Sequence, residues 1–189
     1  FVIGLSTYID PRQPNKHGDY KDCPELVVRY LYDSETIRGL SPRTVNGYYI
    51  DLRTFFRFLK LQRGMVPQDT PLEKIDVHDI ELDTIESVTS TEIYEFLHYV
   101  TRERANSPAA RARKLSSLKG FYKYLCSKMK LIRANPTDDV GIPAQKKRLP
   151  KYLSLKEGTE LLQSVQSDFY ERDYCMITLF LNCGMRLSE

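Results

Sequence analysis

"LSPRTVNGYYIDLRTFFRFLK", residues 40–60, decides how this chain folds. Ser41 can accept hydrogen bonds from the free N–H groups of a first helical turn. Pro42, at the first helical position, loses nothing by lacking an N–H of its own. Val45, Tyr48, Leu52, Phe55 and Leu59 then recur at alternating spacings of three and four, which makes one apolar stripe on a helix. Gly64 and Pro67 close it.

Upstream, residues 1–21 hold Pro11, Pro14 and Gly18 among polar residues and read as an N-terminal arm. A first helix follows from Pro24, with Leu26, Val27, Tyr30 and Leu31 on one side and Gly39 near its end. Downstream, the acidic stretch to Val88 reads as loop with a short helical turn. "VTSTEIYEFLHYV", residues 88–100, restarts a helix: Thr89 and Glu92 have the spacing of a capping box, and Ile93, Phe96, Leu97 and Val100 supply a buried side. The next helix repeats the grammar of residues 40–60. Ser107 caps it, Pro108 opens it, and Leu115, Leu118, Tyr122, Leu125 and Met129 form its stripe, with Arg113, Ser116, Gly120 and Lys123 on the opposite side. No alternating strand pattern and no repeat of solenoid length interrupts this region. The expectation is an all-α fold, with a bundle of four to five helices over residues 22–133.

"RANPTDDVGIPAQKKRLPKYLS", residues 133–154, changes character. Three prolines, a glycine and the basic run Lys146, Lys147, Arg148 break helical periodicity, so 134–151 is expected to be an extended linker. Ser154 and Glu157 form a second capping box, and Leu161, Leu162 and Val165 follow it. A last helix runs through Tyr174, Ile177, Thr178 and Leu181, and Gly184 can turn the chain after it. Residues 152–189 thus read as two helices of something larger.

Hydrophobic content of 41% and charged content of 28% are those of an ordinary soluble globular protein. No apolar run approaches the ~18 residues of a membrane span, and "FVIGLSTYI" lacks the basic leader and cleavage site of a signal peptide. Cys23, Cys126, Cys175 and Cys183 have no CxxC spacing, and His17, His78 and His98 are scattered. The expectation is no metal site, no cofactor, no disulfide framework and a reducing cytoplasm. The net charge of +3 hides a strong asymmetry. Between Gln68 and Glu95 nine acidic residues face Lys74 alone; between Arg102 and Arg133 ten basic residues face Glu103 alone. That pattern points to a basic face for a polyanion and an acidic face turned away from it. A helix start adds free N–H groups and a partial positive charge. The candidate contacts for such a polyanion are therefore Arg43, Thr44 and Asn46 on one helix and Arg111, Arg113, Lys114 and Ser117 on the other, joined by Lys146, Lys147 and Arg148 in the linker.

"SPRTVNGYYIDLRTFFRFL", "RKLSSLKGFYKYL", "NP", "KKRLPKYLS" and "LNCGMRLSE", in that order and spacing, resemble the tyrosine recombinases, and among them the Xer-type bacterial and phage integrases. The resemblance covers roughly residues 22–189. It implies an all-helical core-binding domain that forms half of a clamp around double-stranded DNA, and a linker crossing to a catalytic domain. It also implies self-association on DNA in the full-length protein. Gly184, Arg186, Ser188 and Glu189 match the family's arginine motif, with Asn182 and Cys183 before the glycine and Met185 where the family has leucine. By that likeness Arg186 is a catalytic cation and Glu189 supports the site. In this family a tyrosine hydroxyl attacks a DNA phosphodiester without metal, leaving a 3′-phosphotyrosine. A planar, permanently charged guanidinium suits the negative charge that grows on the phosphorus. The family's later catalytic residues, the nucleophilic tyrosine among them, find no match before Glu189, so the 189 residues are expected to bind DNA without completing strand transfer. Two rivals stand beside this reading: a non-enzymatic helical DNA-binding regulator with the same fold, and a helical module whose basic face binds acidic proteins.

Overall fold

The computed structural model describes Tyr20, residues 22–141 and residues 152–185. Outside them lie most of the expected N-terminal arm, the linker cations Lys146, Lys147 and Arg148, and the motif residues Arg186 and Glu189. The described residues fall into two compact units, one within the first 145 residues and one from residue 146 on.

All regular elements among the described residues are helical. In the first unit these are α1 (Glu25–Thr36), α2 (Pro42–Gln62), a single 3₁₀ turn (Leu72–Lys74), α3 (Leu82–Glu86), α4 (Ser90–Arg102) and α5 (Pro108–Lys123). The second unit holds α6 (Leu155–Gln163) and α7 (Tyr170–Cys183). The caps are those the sequence predicts. Ser41 Oγ accepts from the Thr44 N–H at 3.3 Å, and Ser107 Oγ from the Ala110 N–H at 3.2 Å. Both capping boxes, Thr89 with Glu92 and Ser154 with Glu157, close in both directions. Gly184 ends α7 in the left-handed region at φ +62°, where a Cβ would be strained, and its N–H returns to the Phe180 carbonyl.

The stripe of α2 becomes the axis of the first unit. Val45, Leu52, Phe55, Phe56 and Leu59 are buried there, and Phe55 and Phe58 meet Phe96 of α4 while Phe56 meets Phe121 of α5. Each such side chain contributes about 1.5–3 kcal/mol by leaving water. The chain before α1 is pinned to α2 as well: Tyr49 Oη donates to Asp22, and Arg53 Nη1 reaches the same carboxylate at 2.6 Å.

Two features differ from the sequence expectation. The acidic stretch has the expected form of loop with short helical turns, at Leu72–Lys74 and Leu82–Glu86, but it also belongs to the core. Leu72, Ile75, Val77, Ile80, Ile85 and Val88 are buried in the core, and α2 holds the backbone between them. Arg57 Nε donates to the Ile75 carbonyl at 2.9 Å; Lys60 Nζ, itself buried, donates to the Asp76 carbonyl and to both Asp79 oxygens. Nor is the acid wholly a face turned to solvent, because Asp79 and Glu92 answer Lys60 and Arg63 of the α2 end. The second difference is at the end of α5. The stripe through Leu125 and Met129 suggests one continuous α-helix, but Tyr124–Lys128 widens into a π turn, in which the Met129 N–H bonds the Tyr124 carbonyl at 3.0 Å. Lys130, at φ +52°, then stops the helix.

Candidate nucleic-acid interface

The site expected at two helix starts depends on how α2 and α5 pair. Gly47 meets Arg113, Asp51 meets Ser117, and Phe56 meets Phe121. Contacts that advance together along both helices mean that the two run in the same direction. The first two pairs are each 66 residues apart, which is also the separation of the Ser41-Pro42 and Ser107-Pro108 starts. Both N-termini therefore open at the same end of the pair, and their uncompensated N–H groups and partial positive charges lie on one side.

Arg43 stands exposed in the first turn of α2 and makes no ion pair among the described residues. Thr44 is half-buried, its Oγ1 paired with Ser41 Oγ at 2.9 Å. Asn46, also half-buried, makes no side-chain hydrogen bond among the described residues. On α5, Arg111 donates from Nη1 to Thr101 Oγ1 at 2.9 Å, while its buried Nε has no partner. Half of the Arg113 side chain is exposed.

Lys114 and Ser117 are placed differently. Both are buried, and both reach Asp51, whose side chain is 0% exposed: Lys114 Nζ lies 2.9 Å from Oδ1 and Ser117 Oγ 3.0 Å from Oδ2. Arg113 Nη1 takes the same Oδ2 and also approaches the Gly47 carbonyl at 3.3 Å. A buried carboxylate is tolerated when cations and donors saturate it in this way. Asp51 is the residue that sequence reasoning missed. Its signal was present: it falls three residues after Tyr48 and one before Leu52, on the apolar side of α2, where an ionised group needs partners.

Three hydroxyl and thiol groups of the first unit are held in their neutral forms. Burial pushes the Cys23 thiol up to about 12, and burial likewise raises the Tyr122 hydroxyl, whose Oη donates to the Ile85 carbonyl. Tyr49 is raised by burial and by its bond to Asp22. What the arrangement offers is binding: two positive helix ends, with the exposed guanidinium groups of Arg43 and Arg113 beside them.

Comparison with known proteins identifies the family to which this sequence is similar. The family described as phage integrase, N-terminal SAM-like domain, matches residues 29–130, which hold α2, α5 and the Asp51 cluster. Tyrosine recombinase XerC of Caldanaerobacter subterraneus is 48% identical over 166 residues, an alignment covering 88% of this chain and 47% of the relative. XerC of Myxococcus xanthus is 33% identical over 166 residues, covering 87% and 48%. Tyrosine recombinase XerD of Halalkalibacterium halodurans is 29% identical over 165 residues, covering 86% and 49%. No solved structure matches the chain. The chain spans about half the length of the curated relatives it matches. It belongs to the family of phage integrase N-terminal SAM-like domains and, by its likeness to XerC and XerD, is Xer-like among the tyrosine recombinases.

Proposed function

We propose that this chain is the DNA-binding portion of a site-specific tyrosine recombinase, with residues 22–133 as the core-binding domain, 134–151 as a basic linker and 152–189 as the start of the catalytic domain. The observation that carries the reading is the parallel α2–α5 pair, whose two positive ends and exposed Arg43 and Arg113 lie on one side. Thr44, Asn46 and Arg111 border them, while Lys114 and Ser117 serve the interface from beneath through Asp51. Lys146, Lys147 and Arg148 add phosphate contacts from the linker. Among the described residues no helix is long and apolar enough to cross a membrane. The working compartment is the cytoplasm, where the DNA is, and the whole recombinase acts as more than one copy on its site.

In the whole protein the reaction is strand exchange through a 3′-phosphotyrosyl intermediate. Arg186 meets the charge that develops on the phosphate, and Glu189 helps to hold the site. The second unit supports this placement, because none of its described residues is buried. Two helices with so little core belong to a larger domain.

Binding to duplex DNA measured against salt tests the reading. The log of the affinity should fall linearly with log salt, with a slope of about −0.9 per phosphate neutralised, and Arg43→Ala should make it shallower by about one contact. An affinity that stays flat from low to moderate salt refutes the proposal.

A further inference from the structure

Asp51 draws two cations and a hydroxyl, although one buried carboxylate needs only one countercharge. Lys114 supplies it: its side chain is 9% exposed, and its Nζ lies 2.9 Å from Oδ1. Ser117 satisfies a lone pair of Oδ2. With those two alone α2 and α5 would already be joined by a neutral, hydrogen-bonded pair. Arg113 is surplus to that joint, and it is the member that reaches solvent, with 49% of its side chain exposed. The cluster as a whole is therefore positive, and its excess charge sits at the surface.

The way Arg113 is held is equally one-sided. Among the described residues only Nη1 is engaged, by Asp51 Oδ2 and by the Gly47 carbonyl, both on the other helix. A guanidinium has five N–H donors in a rigid plane, so two acceptors on one nitrogen fix that plane while half of the side chain stays open to solvent. Gly47 makes room for this. An ideal Cβ there would stand 3.2 Å from Arg113 Nη1, closer than an unstrained contact, whereas glycine within a helix ordinarily costs about 0.5–1 kcal/mol relative to alanine. Two positions of α2 thus share one consequence, the direction of an arginine on α5.

We infer that Asp51 and Gly47 are positioning residues of the DNA interface, which hold the Arg113 guanidinium pre-oriented for a DNA phosphate. The inference rests on the proposed role of the α2–α5 end in DNA binding. A side chain fixed before contact loses less conformational freedom on binding than a free one, so pre-orientation appears as affinity. A mere strut between helices would appear only as stability.

The experiment uses the full chain and duplex DNA at several salt concentrations, with Tm recorded for each variant. Gly47→Ala crowds Nη1, leaves the Asp51–Lys114–Ser117 joint whole and adds helix propensity, so it should melt no lower than the parent. Its DNA affinity should nevertheless fall about three- to tenfold, while in an Arg113→Ala background the same change should have no further effect. Arg113→Ala alone should weaken binding and make the salt slope shallower by about 0.9. Asp51→Asn should behave as Gly47→Ala does toward DNA, with a lower Tm because Lys114 loses its countercharge; if that variant fails to fold, the glycine arm decides. A Gly47→Ala protein that binds as the parent does, or that loses as much affinity without Arg113 as with it, overturns the positioning role. An Arg113→Ala protein with unchanged affinity and slope overturns the DNA-binding reading of this face, and the positioning role with it.

Discussion

An ideal Cβ on Gly120 would collide with the Tyr30 hydroxyl oxygen. The Tyr30 ring is 1% exposed and held against Tyr48, Phe121 and Tyr124, with only its hydroxyl end bordering a cavity beside Gly120 and Lys123. Gly120→Ala should therefore destabilise the protein by about 1–2 kcal/mol, the overpacking cost outweighing the gain in helix propensity. Thermal denaturation should show a Tm lower by roughly 4 °C or more. Tyr30→Phe, which removes the obstructing oxygen, should restore part of that loss. Gly158→Ala is the control: its Cβ would meet only Leu181, at 3.9 Å, and Tm should not move. A Gly120→Ala protein as stable as its parent would show that the Tyr30 ring yields. Counting charges, or stripes, sees none of this. It groups Lys114 and Ser117 with Arg113 as surface contacts, because a sequence carries no record of which cation a buried carboxylate will claim. Here Asp51 claims them from 62 to 66 residues away.

Between elements, the join of α2 to α4 shows how one acid serves two purposes. Glu92 closes the capping box with the Thr89 N–H at 2.8 Å and also takes the Arg63 fork, Nε at 2.7 Å and Nη2 at 3.0 Å. Burial pushes the Glu92 carboxyl upward, but the Arg63 hydrogen bonds, the Thr89 backbone and the Arg63 charge outweigh it and hold the group below its ordinary value. A depressed carboxylate contributes stability that is whole above its unfolded pKa, about 4.3, and is lost as pH falls through the folded value. Asp22 and Asp79 act in the same sense. The parent should accordingly lose Tm as pH falls below about 5. Glu92→Gln should be weaker by about 1–3 kcal/mol at pH 7 and should show a shallower acid slope. Melting curves from pH 7 to 3 check it, and parallel slopes for the two proteins would rule it out. Such caps are legible in sequence because they are local, as Ser41, Thr89, Ser107 and Ser154 show. The π turn at Tyr124–Lys128 is not, because one turn of apolar spacing fits a four- or a five-residue step equally well. The order within the acidic stretch was hidden for another reason: its apolar residues follow no helical period, and only α2 gives them a common side. One long-range signal is present in the sequence. "LRTFFRFL" at 52–59 and "LKGFYKYL" at 118–125 are like sequences 66 residues apart, the register in which α2 and α5 meet.

Across the whole molecule, burial is divided unequally. Leu52, Phe55, Phe56, Phe96, Leu115, Leu118 and Phe121 are fully enclosed in the first unit, whereas no described residue from 152 to 185 is buried. Leu155 is 90% exposed, and Tyr170, Tyr174, Met176 and Leu179 are exposed along α7. Helices of this length are marginal without tertiary packing, since isolated ones shorter than about 12–15 residues scarcely persist in water. The 9 residues of α6 and 14 of α7 meet mainly each other within their unit. Cooperative unfolding should therefore belong to the first unit. Calorimetry of residues 1–145 alone should give one transition, with a Tm within about 2 °C of the whole chain and nearly all of its enthalpy. Leu52→Ala should lower the stability of either protein by about 2–5 kcal/mol through the cavity it leaves. Leu162→Ala with Ile177→Ala should leave the transition where it was, because removing half-exposed side chains opens no enclosed space. A second calorimetric transition in the whole chain, or a marked loss of enthalpy on shortening it, would show that α6 and α7 carry a core of their own.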